Sequence, residues 1–309
     1  MVSRVSTAGS YSAVLANLMA AKSRQDQANN QVSTEKNGQN LKDYSKDAEI
    51  LSAMRSVQSR VTVYQDQNSV IADKLSSQDA AMNQITDAAR QARQAISDAL
   101  ASDSSAALVA EMQAQFTNAA EGLNTRHGGK YLFAGGQIDT EPMTAPNMAA
   151  LTTPATTVAD FFKNDDFKVQ AKLDDATTVT TGVLASDVGT DVMTNFKAMQ
   201  NFFDTTTPLG GSLTAAQRSF LESQLASWDA TGDDLTLQTA RNGLVQNRVD
   251  DVKGRLDDRE ASLNGMVGDI TNVNMAEAVS RLEQSQLALQ AAAQVFATLQ
   301  NTSLLNLLK

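Results

Sequence analysis

The fold of this chain is decided by residues 50–99, which read ILSAMRSVQSRVTVYQDQNSVIADKLSSQDAAMNQITDAARQARQAISDA. Fifteen positions follow unbroken steps of four and three residues: Ile50, Met54, Val57, Val61, Tyr64, Asn68, Ile71, Leu75, Gln78, Met82, Ile85, Ala89, Ala92, Ile96 and Ala99. Thirteen of the fifteen are apolar, counting the alanines. A 3.5-residue apolar period is typical of helices that wrap around other helices. The stretch therefore predicts a long coiled-coil helix.

A second seam with the same spacing lies near the other end of the chain. Its positions are Val245, Val249, Val252, Leu256, Arg259, Leu263, Met266, Ile270 and Val273. Two seams separated by a segment of different composition predict a rod in which the two ends of the chain come back together and pack on each other. The expected fold is mainly α: a long antiparallel helical bundle or coiled-coil rod formed by the N- and C-terminal segments, with a small β-rich inserted domain.

The composition excludes several classes of function. The chain has 309 residues, a net charge of −10 and no cysteine. An acidic chain without clusters of basic residues argues against nucleic acid and anionic membranes as partners. Without cysteine there are no disulfides, thiolate nucleophiles or zinc–thiolate sites. Residues 1–12 contain no apolar core of a cleaved signal peptide, and no apolar run approaches the roughly 20 residues of a membrane span.

Each end of the chain predicts a shorter helix outside the seams. Residues 8–33 carry Tyr11, Leu15 and Leu18, and a loop is expected at residues 34–46 around the turn signal Asn37-Gly38. The last helix begins at the predicted cap Asn274 and carries the apolar residues Met275, Val279, Leu282, Leu289, Ala293 and Phe296. Their burial contributes roughly 10–20 kcal/mol, whereas ordering the backbone costs on the order of 28–56 kcal/mol. We therefore expect these termini to order fully only in an assembly.

The middle of the chain divides into smaller elements. A turn with a candidate N-cap is expected at residues 103–105, followed by a helix from Leu108 that ends at His127-Gly128-Gly129. Residues 137–211 hold all four prolines and many threonines, which favours short strands and turns, with a helix at residues 192–203. Helix resumes at Ser212 and is expected to break at residues 231–234. The predicted domains are a core-assembly helix (1–33), the N-terminal part of a rod (34–136), an outward-facing β-rich insert (137–212), the C-terminal part of the rod (213–272) and a second core-assembly helix (273–309).

No pattern in the sequence indicates catalysis, a cofactor or a metal. His127 is the only histidine, and we expect it to end a helix rather than act as a base. Three acidic pairs, Asp233-Asp234, Asp250-Asp251 and Asp257-Asp258, lack a calcium-loop pattern and predict solvated surface. The double glycines at 135–136 and 210–211 lack the residues of a phosphate loop and are interpreted as hinges of the insert. Asn68 and Gln78 interrupt the main seam; they either set its register or lie where it is partly wet.

Four stretches resemble one protein family. Residues 4–7 (RVST) followed by Tyr11 resemble its start, and residues 31–34 (QVST) with Gly38 resemble the end of its first helix. Residues 129–136 (GKYLFAGG) resemble the entry to its variable domain, and residues 276–289 with the Leu-rich end resemble its last helix. The family is the bacterial flagellin superfamily, most closely hook-associated protein 3, the hook–filament junction protein. The chain departs from the pattern at Glu35, where the family has glycine, and at residues 40–44, which replace its PADDP stretch.

The resemblance implies a structural subunit of the bacterial flagellum and no enzyme activity. It implies that the terminal helices pair and self-assemble into a tubular core, and that the insert faces outward. We expect the assembly interface to contain Tyr11, Leu15, Leu18, Leu282, Leu289, Phe296 and Leu299. The implied partners are copies of the chain, the hook-side junction protein, flagellin and a flagellar export chaperone. The implied location is the extracellular flagellum, reached by type III export without a cleaved signal peptide.

Three alternatives stay open at this point. The chain could be a flagellin, the filament subunit, because its last residues, Leu304 to Lys309, are as similar to a flagellin ending. It could also be a cytosolic coiled-coil scaffold, which would be ordered without an assembly and would not be exported. An enzyme would need a polar pocket in the insert, and residues 137–211 offer no nucleophile–base pair.

Overall fold

The structure is a computed structural model that describes the backbone of residues 2–154, 156–206 and 212–307 and the side chains of those between 12 and 298. The helices are α1 (Val2–Thr34), α2 (Ala48–Ser102), α3 (Leu108–Leu123), α4 (Ala185–Thr205), α5 (Ala215–Thr271) and α6 (Met275–Leu307). The strands are β1 (Arg126–His127), β2 (Lys130–Tyr131), β3 (Gln170–Lys172) and β4 (Thr178–Thr180). Short 3-10 helices cover Leu41–Tyr44, Met148–Thr152 and Val158–Phe161. The expectation of a mainly α fold with a small β-containing region is confirmed.

The chain divides by packing into two units. One contains residues 1–60 and 259–309, and the other contains residues 61–258. Both boundaries fall inside the long helices α2 and α5, so each long helix contributes to both units.

Within the unit of residues 61–258, α2 and α5 pack antiparallel. Gln65 donates to Asp257 at 2.7 Å, Gln78 donates to Asn242 at 3.3 Å, and Arg93 forms an ion pair with Asp229. The residue numbers of these pairs add to 320–322, so a residue further along α2 meets an earlier residue of α5. In the other unit, Gln58 donates to Asn264 at 2.7 Å in the same register. The predicted pairing of the two seams within one chain is thereby confirmed.

Burial follows the predicted seams closely but not at every position. In α2, fourteen of the fifteen predicted positions are buried or half-buried, and the exception is Ile50, which is 50% exposed. Leu51 is buried in its place. In α5, Arg259 and Met266 are exposed while Glu260 and Val267 are half-buried, so the seam lies one residue later than predicted at these two positions. The predicted positions Leu263 and Ile270 are half-buried.

The core of the unit of residues 61–258 is formed by α2, α3, α4 and α5 together with buried loop residues. Trp228 of α5 contacts Phe196 of α4 edge-to-face at 4.9 Å between ring centroids, and Phe196 contacts Phe116 of α3 at 5.7 Å. The helix predicted at residues 192–203 is therefore confirmed and is longer. Within the described part of residues 137–212, the regular β-structure is one antiparallel hairpin, in which Ala171 pairs with Val179.

Three predicted boundaries were wrong, each because of a tertiary contact. The predicted cap at residues 103–105 is wrong because Ser104 pairs with Ser212 in an antiparallel bridge, and α3 begins only after Ala107. Helix α3 ends at Leu123 rather than at His127, because the Asn124 amide forms two hydrogen bonds with the backbone of Met143, at 2.8 and 2.9 Å. Helix α5 passes through residues 231–234 without a break, and there the Thr231 hydroxyl accepts a 2.9 Å bond from Asn195.

Candidate assembly surface

Helices α1 and α6 pack against each other along a narrow heptad seam. On α6, the described side chains that are not exposed are Ala278, Leu282, Ser285, Leu289, Ala292 and Phe296, which follow unbroken steps of four and three residues. On α1 they are Val14, Leu15, Leu18, Ala21, Gln25, Ala28, Gln31 and Val32. Because the end of α1 is bridged to the start of α6, by Lys36 opposite Asn272, the two helices run antiparallel. This is the seam of a two-stranded coiled coil.

The structure places five of the seven predicted assembly residues on this seam. Leu15 and Leu18 on α1 are half-buried, and so are Leu282, Leu289 and Phe296 on α6. The side chains of the other two, Tyr11 and Leu299, lie outside the described residues. Met275, Val279 and Ala293, which the sequence placed on the same stripe, are exposed.

The seam leaves a groove on one face of the α1/α6 pair. The groove has a volume of about 430 Å³. Its lining includes the small residues Ala21, Ala28 and Ala288, with Arg24 and Arg281 among its polar residues. Small side chains cannot fill the space between two helices as leucines do, so this part of the pair buries little apolar surface.

Helix α6 has a second apolar stripe that the sequence analysis missed. Leu287 is 66% exposed and Val295 is 52% exposed, with the exposed Ala291 midway between them. Their four-residue spacing keeps them on one side of the helix: Leu287 lies opposite the seam, and Val295 lies about 100° from the centre of the seam. The spacing was visible in the sequence, but so were several competing stripes, and burial is what separates them. Helix α6 therefore presents apolar side chains on two sides, of which α1 covers one.

The bases of α1 and α6 are joined by a hydrogen-bonded contact between residues 35–44 and residues 271–273, which we call the clasp. The Asn37 amide donates to the Thr271 carbonyl at 2.8 Å, and the Val273 amide donates to the Glu35 carbonyl at 3.0 Å. The buried Tyr44 hydroxyl accepts from the Gly38 amide at 2.9 Å and donates to the Gly38 carbonyl at 2.8 Å. The Asn274 side chain accepts from the Ala276 amide at 3.1 Å, which confirms the predicted N-cap of α6.

Two residues of the clasp explain how the chain departs from the family pattern. Glu35 has φ = +58°, a left-handed conformation in which glycine has no steric penalty. This is the position at which the resembled family has glycine. Asp43 lies in the stretch that replaces PADDP, and its carboxylate accepts from the Asn40 and Gln39 amides at 2.9 and 2.8 Å. The Asn40 amide, followed by that of Gln39, lowers the pKa of the Asp43 carboxyl below its usual value.

The two polar seam residues have separate roles, and both lie within the unit of residues 61–258. Asn68 is fully buried and donates to the Leu173 carbonyl at 3.0 Å, so it ties the β3–β4 segment to α2. Gln78 is also fully buried and donates to Asn242 of α5, whose own side chain donates to the Leu75 carbonyl at 3.2 Å. Buried amides that pair in one alignment specify the register of the helices that carry them. The seam is therefore covered rather than wet at these two positions.

The remaining candidate residues have structural surroundings. His127 does not end a helix but lies on strand β1, with its Nδ1 2.9 Å from the Ser77 hydroxyl. Gly135 has φ = +67°, and the Gly136 amide donates to the Asp165 carboxylate at 2.8 Å, which fixes this turn. Among the residues that the structure describes, no group of three His, Cys, Asp or Glu side chains could hold a metal ion. No described helix is long and apolar enough to cross a membrane.

The C-terminal part of the chain is similar to a known protein family. Residues 225–308 match the model of the bacterial flagellin C-terminal helical region. No curated protein matches the chain. This match covers 84 of the 309 residues and shows that the C-terminal part of the chain is similar to that region of flagellin.

Two solved structures are similar to this chain in fold. A protein from Vibrio parahaemolyticus described as a flagellar hook-associated protein aligns with a TM-score of 0.59 and 14% identity, covering 72% of this chain and 97% of that one. FlgL of Bacillus cereus aligns with a TM-score of 0.57 and 15% identity, covering 70% of this chain and 99% of that one. This chain is therefore similar in fold to both of these proteins.

Proposed function

We propose that this chain is a structural subunit of the bacterial flagellum that joins the hook to the filament, and that it assembles through its terminal helices. The observation that carries the proposal is the bifacial helix α6. One side of α6 packs on α1, and the other exposes Leu287 and Val295 with no cover from the described part of the chain. A large exposed apolar stripe on a thin helical pair marks an interaction surface.

The predicted assembly residues then act indirectly, because they pack within one chain and not in the contact between copies. Leu18, Leu282 and Leu289, with the other residues of the predicted set, pair α1 with α6 and so create a two-helix unit. The exposed stripe of α6 and the exposed Met19 of α1 contact the neighbouring subunits. Tyr11 and Leu299 continue the same heptad spacing toward the chain ends.

Truncation tests the requirement for α6. Deleting residues 280–309 removes nearly all of both apolar sides of α6, and we expect flagellar assembly and motility to be lost. The loss should occur although the unit of residues 61–258 keeps its thermal unfolding transition. A truncated chain that still supports normal motility would contradict the proposal.

Paired substitutions separate the two sides of α6. L282A/L289A weakens the α1/α6 seam, whereas L287A/V295A leaves the seam intact and removes the exposed stripe. We expect both variants to lose motility, but L287A/V295A should keep the α-helical content of the purified chain. If L287A/V295A is motile while L282A/L289A is not, the exposed stripe has no role in assembly.

Flagellin, the filament subunit, is the second candidate. The two functions differ in whether the purified chain polymerises alone. A filament subunit grows long filaments by itself, while a junction subunit stays monomeric until hook-side protein and flagellin are supplied. Electron microscopy of the concentrated chain, with and without those partners, decides between them. A deletion strain that secretes flagellin into the medium but assembles no filament also identifies a junction subunit.

The remaining parts of the proposal concern export. The chain is delivered to the extracellular flagellum by the flagellar type III apparatus without cleavage, and a cytosolic chaperone covers the second apolar side of α6 before export. Mass spectrometry of the chain from isolated flagella should find its N-terminal residues intact. An uncovered Leu287–Val295 stripe also predicts that a chaperone protects α6 from hydrogen exchange. Constitutive retention in the cytosol would instead favour a coiled-coil scaffold.

A further inference from the structure

Two exposed stripes on the unit of residues 61–258 have opposite charge and the same spacing. On α2, Val63 and Val70 lie seven residues apart and are 59% and 64% exposed, with the exposed Asp66 and Asp73 three residues after each. On α5, Leu237 and Leu244 lie seven residues apart and are 49% and 68% exposed, with the exposed Arg241 and Arg248 four residues after each. Seven-residue spacing keeps each set on one face of its helix.

The four charged side chains are available for a partner. Among the described residues, the side chains of Asp66, Asp73, Arg241 and Arg248 form no ion pair or hydrogen bond, although the backbone carbonyl of Asp73 accepts one from Ser77. Ion pairs elsewhere on the same unit, such as Lys168 with Asp187 at 2.7 Å, show that its charges do pair when an opposite charge is in reach. An apolar stripe flanked by carboxylates and one flanked by guanidinium groups are complementary surfaces.

We propose that the α2 stripe of one copy of this chain docks on the α5 stripe of the next copy. The inference rests on the proposed function in so far as it assumes that copies assemble side by side. Copies in the same orientation place α2 of one beside α5 of the other in antiparallel directions, as these helices already run within one chain. Because the two stripes are different surfaces, the contact is heterologous and leads to a ring or an open helical array.

One antiparallel register satisfies both pairs of charges. When Val70 lies opposite Leu244, Asp66 lies opposite Arg248 and Asp73 lies opposite Arg241, since residue numbers of each pair add to 314. In this register the exposed Gln67 lies opposite Asn247, and the half-buried Lys74 lies opposite Ala240 rather than an arginine. The contact therefore has one apolar pair, Val70 with Leu244, at its centre and one ion pair on each side. Further out, Val63 lies opposite the exposed Asp251, and Leu237 lies opposite the half-buried Ser77.

The alternative registers lose this match. Shifting the antiparallel register so that Val63 lies opposite Leu244 also pairs Val70 with Leu237 and Asp66 with Arg241. It brings Asp73 opposite Asp234, however, and so loses one of the two ion pairs. A parallel register with Val70 opposite Leu244 brings Lys74 opposite Arg248. Both place like charges together, which opposes docking.

The proposed register also sets an axial displacement. Within one chain, paired residues of α2 and α5 add to 320–322, which is six to eight more than the 314 of the contact between copies, or about seven on average. Seven residues of an α-helix rise about 10 Å. Neighbouring copies are therefore staggered by about 10 Å along the direction of these helices.

Cysteine cross-linking tests the register, because the chain has no cysteine of its own. The full-length double variant V70C/L244C is expressed in place of the wild type, and flagella are isolated and oxidised. We expect a ladder of disulfide-linked multimers. The two cysteines cannot join within one chain, since they are about 10 Å out of register there and a disulfide needs Cα atoms within about 7 Å.

Two matched controls report other registers. V63C/L244C would cross-link in the shifted antiparallel register, and V63C/L237C would cross-link in the parallel one. We expect neither to form multimers. A ladder from either control that exceeds that of V70C/L244C would overturn the proposed register.

Charge reversal tests the ion pairs. D66R/D73R and R241D/R248D, each in the V70C/L244C background, should lower the multimer yield at least about tenfold, and the chain carrying all four substitutions should regain it. The variant D191R/D250R makes the same change in net charge as D66R/D73R, at exposed positions outside both stripes, and should leave the yield unchanged. Equal yields from all these chains would refute the role of the charges.

The outcome separates this inference from the proposed function. If the chain is present in isolated flagella but V70C/L244C forms no ladder, the inference fails and the proposed function stands. If the chain is absent from flagella, the proposed function fails, and the purified variants oxidised at high concentration decide the docking contact. A ladder there supports the contact, and its absence there overturns it.

Discussion

Replacing Glu35 with glycine should stabilise the clasp. Glu35 has φ = +58°, and a side chain in the left-handed region costs about 1–2 kcal/mol. Glycine removes that cost but gives the unfolded chain extra freedom worth about 0.4–1 kcal/mol. The middle of both ranges gives a net gain of about 0.8 kcal/mol, which is within a two- to fivefold decrease in the opening equilibrium of the clasp, roughly fourfold. The exposed Glu35 side chain forms no ion pair within the described chain that would be lost.

Hydrogen exchange measures this effect where it occurs. The Asn37 and Val273 amides donate across the clasp, so their protection factors report its opening. We expect E35G to raise both factors about two- to fivefold and leave the amides of the core around Trp228 unchanged.

Two control variants isolate the cause. E35A keeps the backbone strain but removes the carboxylate, so its protection should equal that of the wild type. E35N should fall between alanine and glycine, because asparagine tolerates the left-handed region better than other residues with side chains. If E35A stabilises the clasp as much as E35G, the charge of Glu35 and not its backbone conformation is responsible, and the reasoning is refuted.

Three further outcomes follow from single side chains. W228A should lose about 3–5 kcal/mol of stability, measured by circular dichroism, whereas W228F should lose less than about 1.5 kcal/mol because the buried Trp228 Nε1 has no hydrogen-bond partner among the described atoms. G135A should cost about 2 kcal/mol in Trp228 fluorescence unfolding, since an added Cβ would collide with the Asp165 carboxylate, while G128A, also at positive φ but in open space, should cost about 1 kcal/mol. The pKa of Asp43 is lowered in the folded chain, so its contribution to stability is present above the unfolded value of about 3.9 and is lost as the pH falls through the lower folded value. The NMR chemical shifts of the Asn40 and Gln39 amides should therefore titrate with a midpoint below about 3.9. They should not do so in D43N.

The long helices could be predicted from the sequence because their burial follows one periodic rule. Fourteen positions of the α2 seam are buried or half-buried where a heptad places them. The rule fails at Ile50, where the apolar residue next to it, Leu51, faces inward instead. In a stretch with two adjacent apolar residues, the period alone does not decide which of them starts the seam.

Helix ends were less predictable because contacts distant in sequence determine them. Asn124 ends α3 through the backbone of Met143, and residues 231–234 stay helical beside Asn195 of α4. Residues 231–234, Thr231-Gly232-Asp233-Asp234, look like a turn. A glycine inside a helix costs only about 1 kcal/mol relative to alanine, however, and packing overrides that cost. The same limit applied to α6, whose outward stripe could be recognised only once burial had shown which residues face α1.

The small residues of the α1/α6 seam make the clasp responsible for axial alignment. Between Leu18 and Val32, the seam of α1 carries alanine and glutamine side chains, and the facing α6 offers Ala278 and Ser285 at its start. The one bulky side chain in this part, Leu282, has a counterpart one heptad further on, Leu289, so a slide of one heptad would replace like with like. The hydrogen bonds at residues 35–37 and 271–273 forbid that slide. A few backbone hydrogen bonds at one end of the pair thus fix the axial alignment of α1 and α6 along their length.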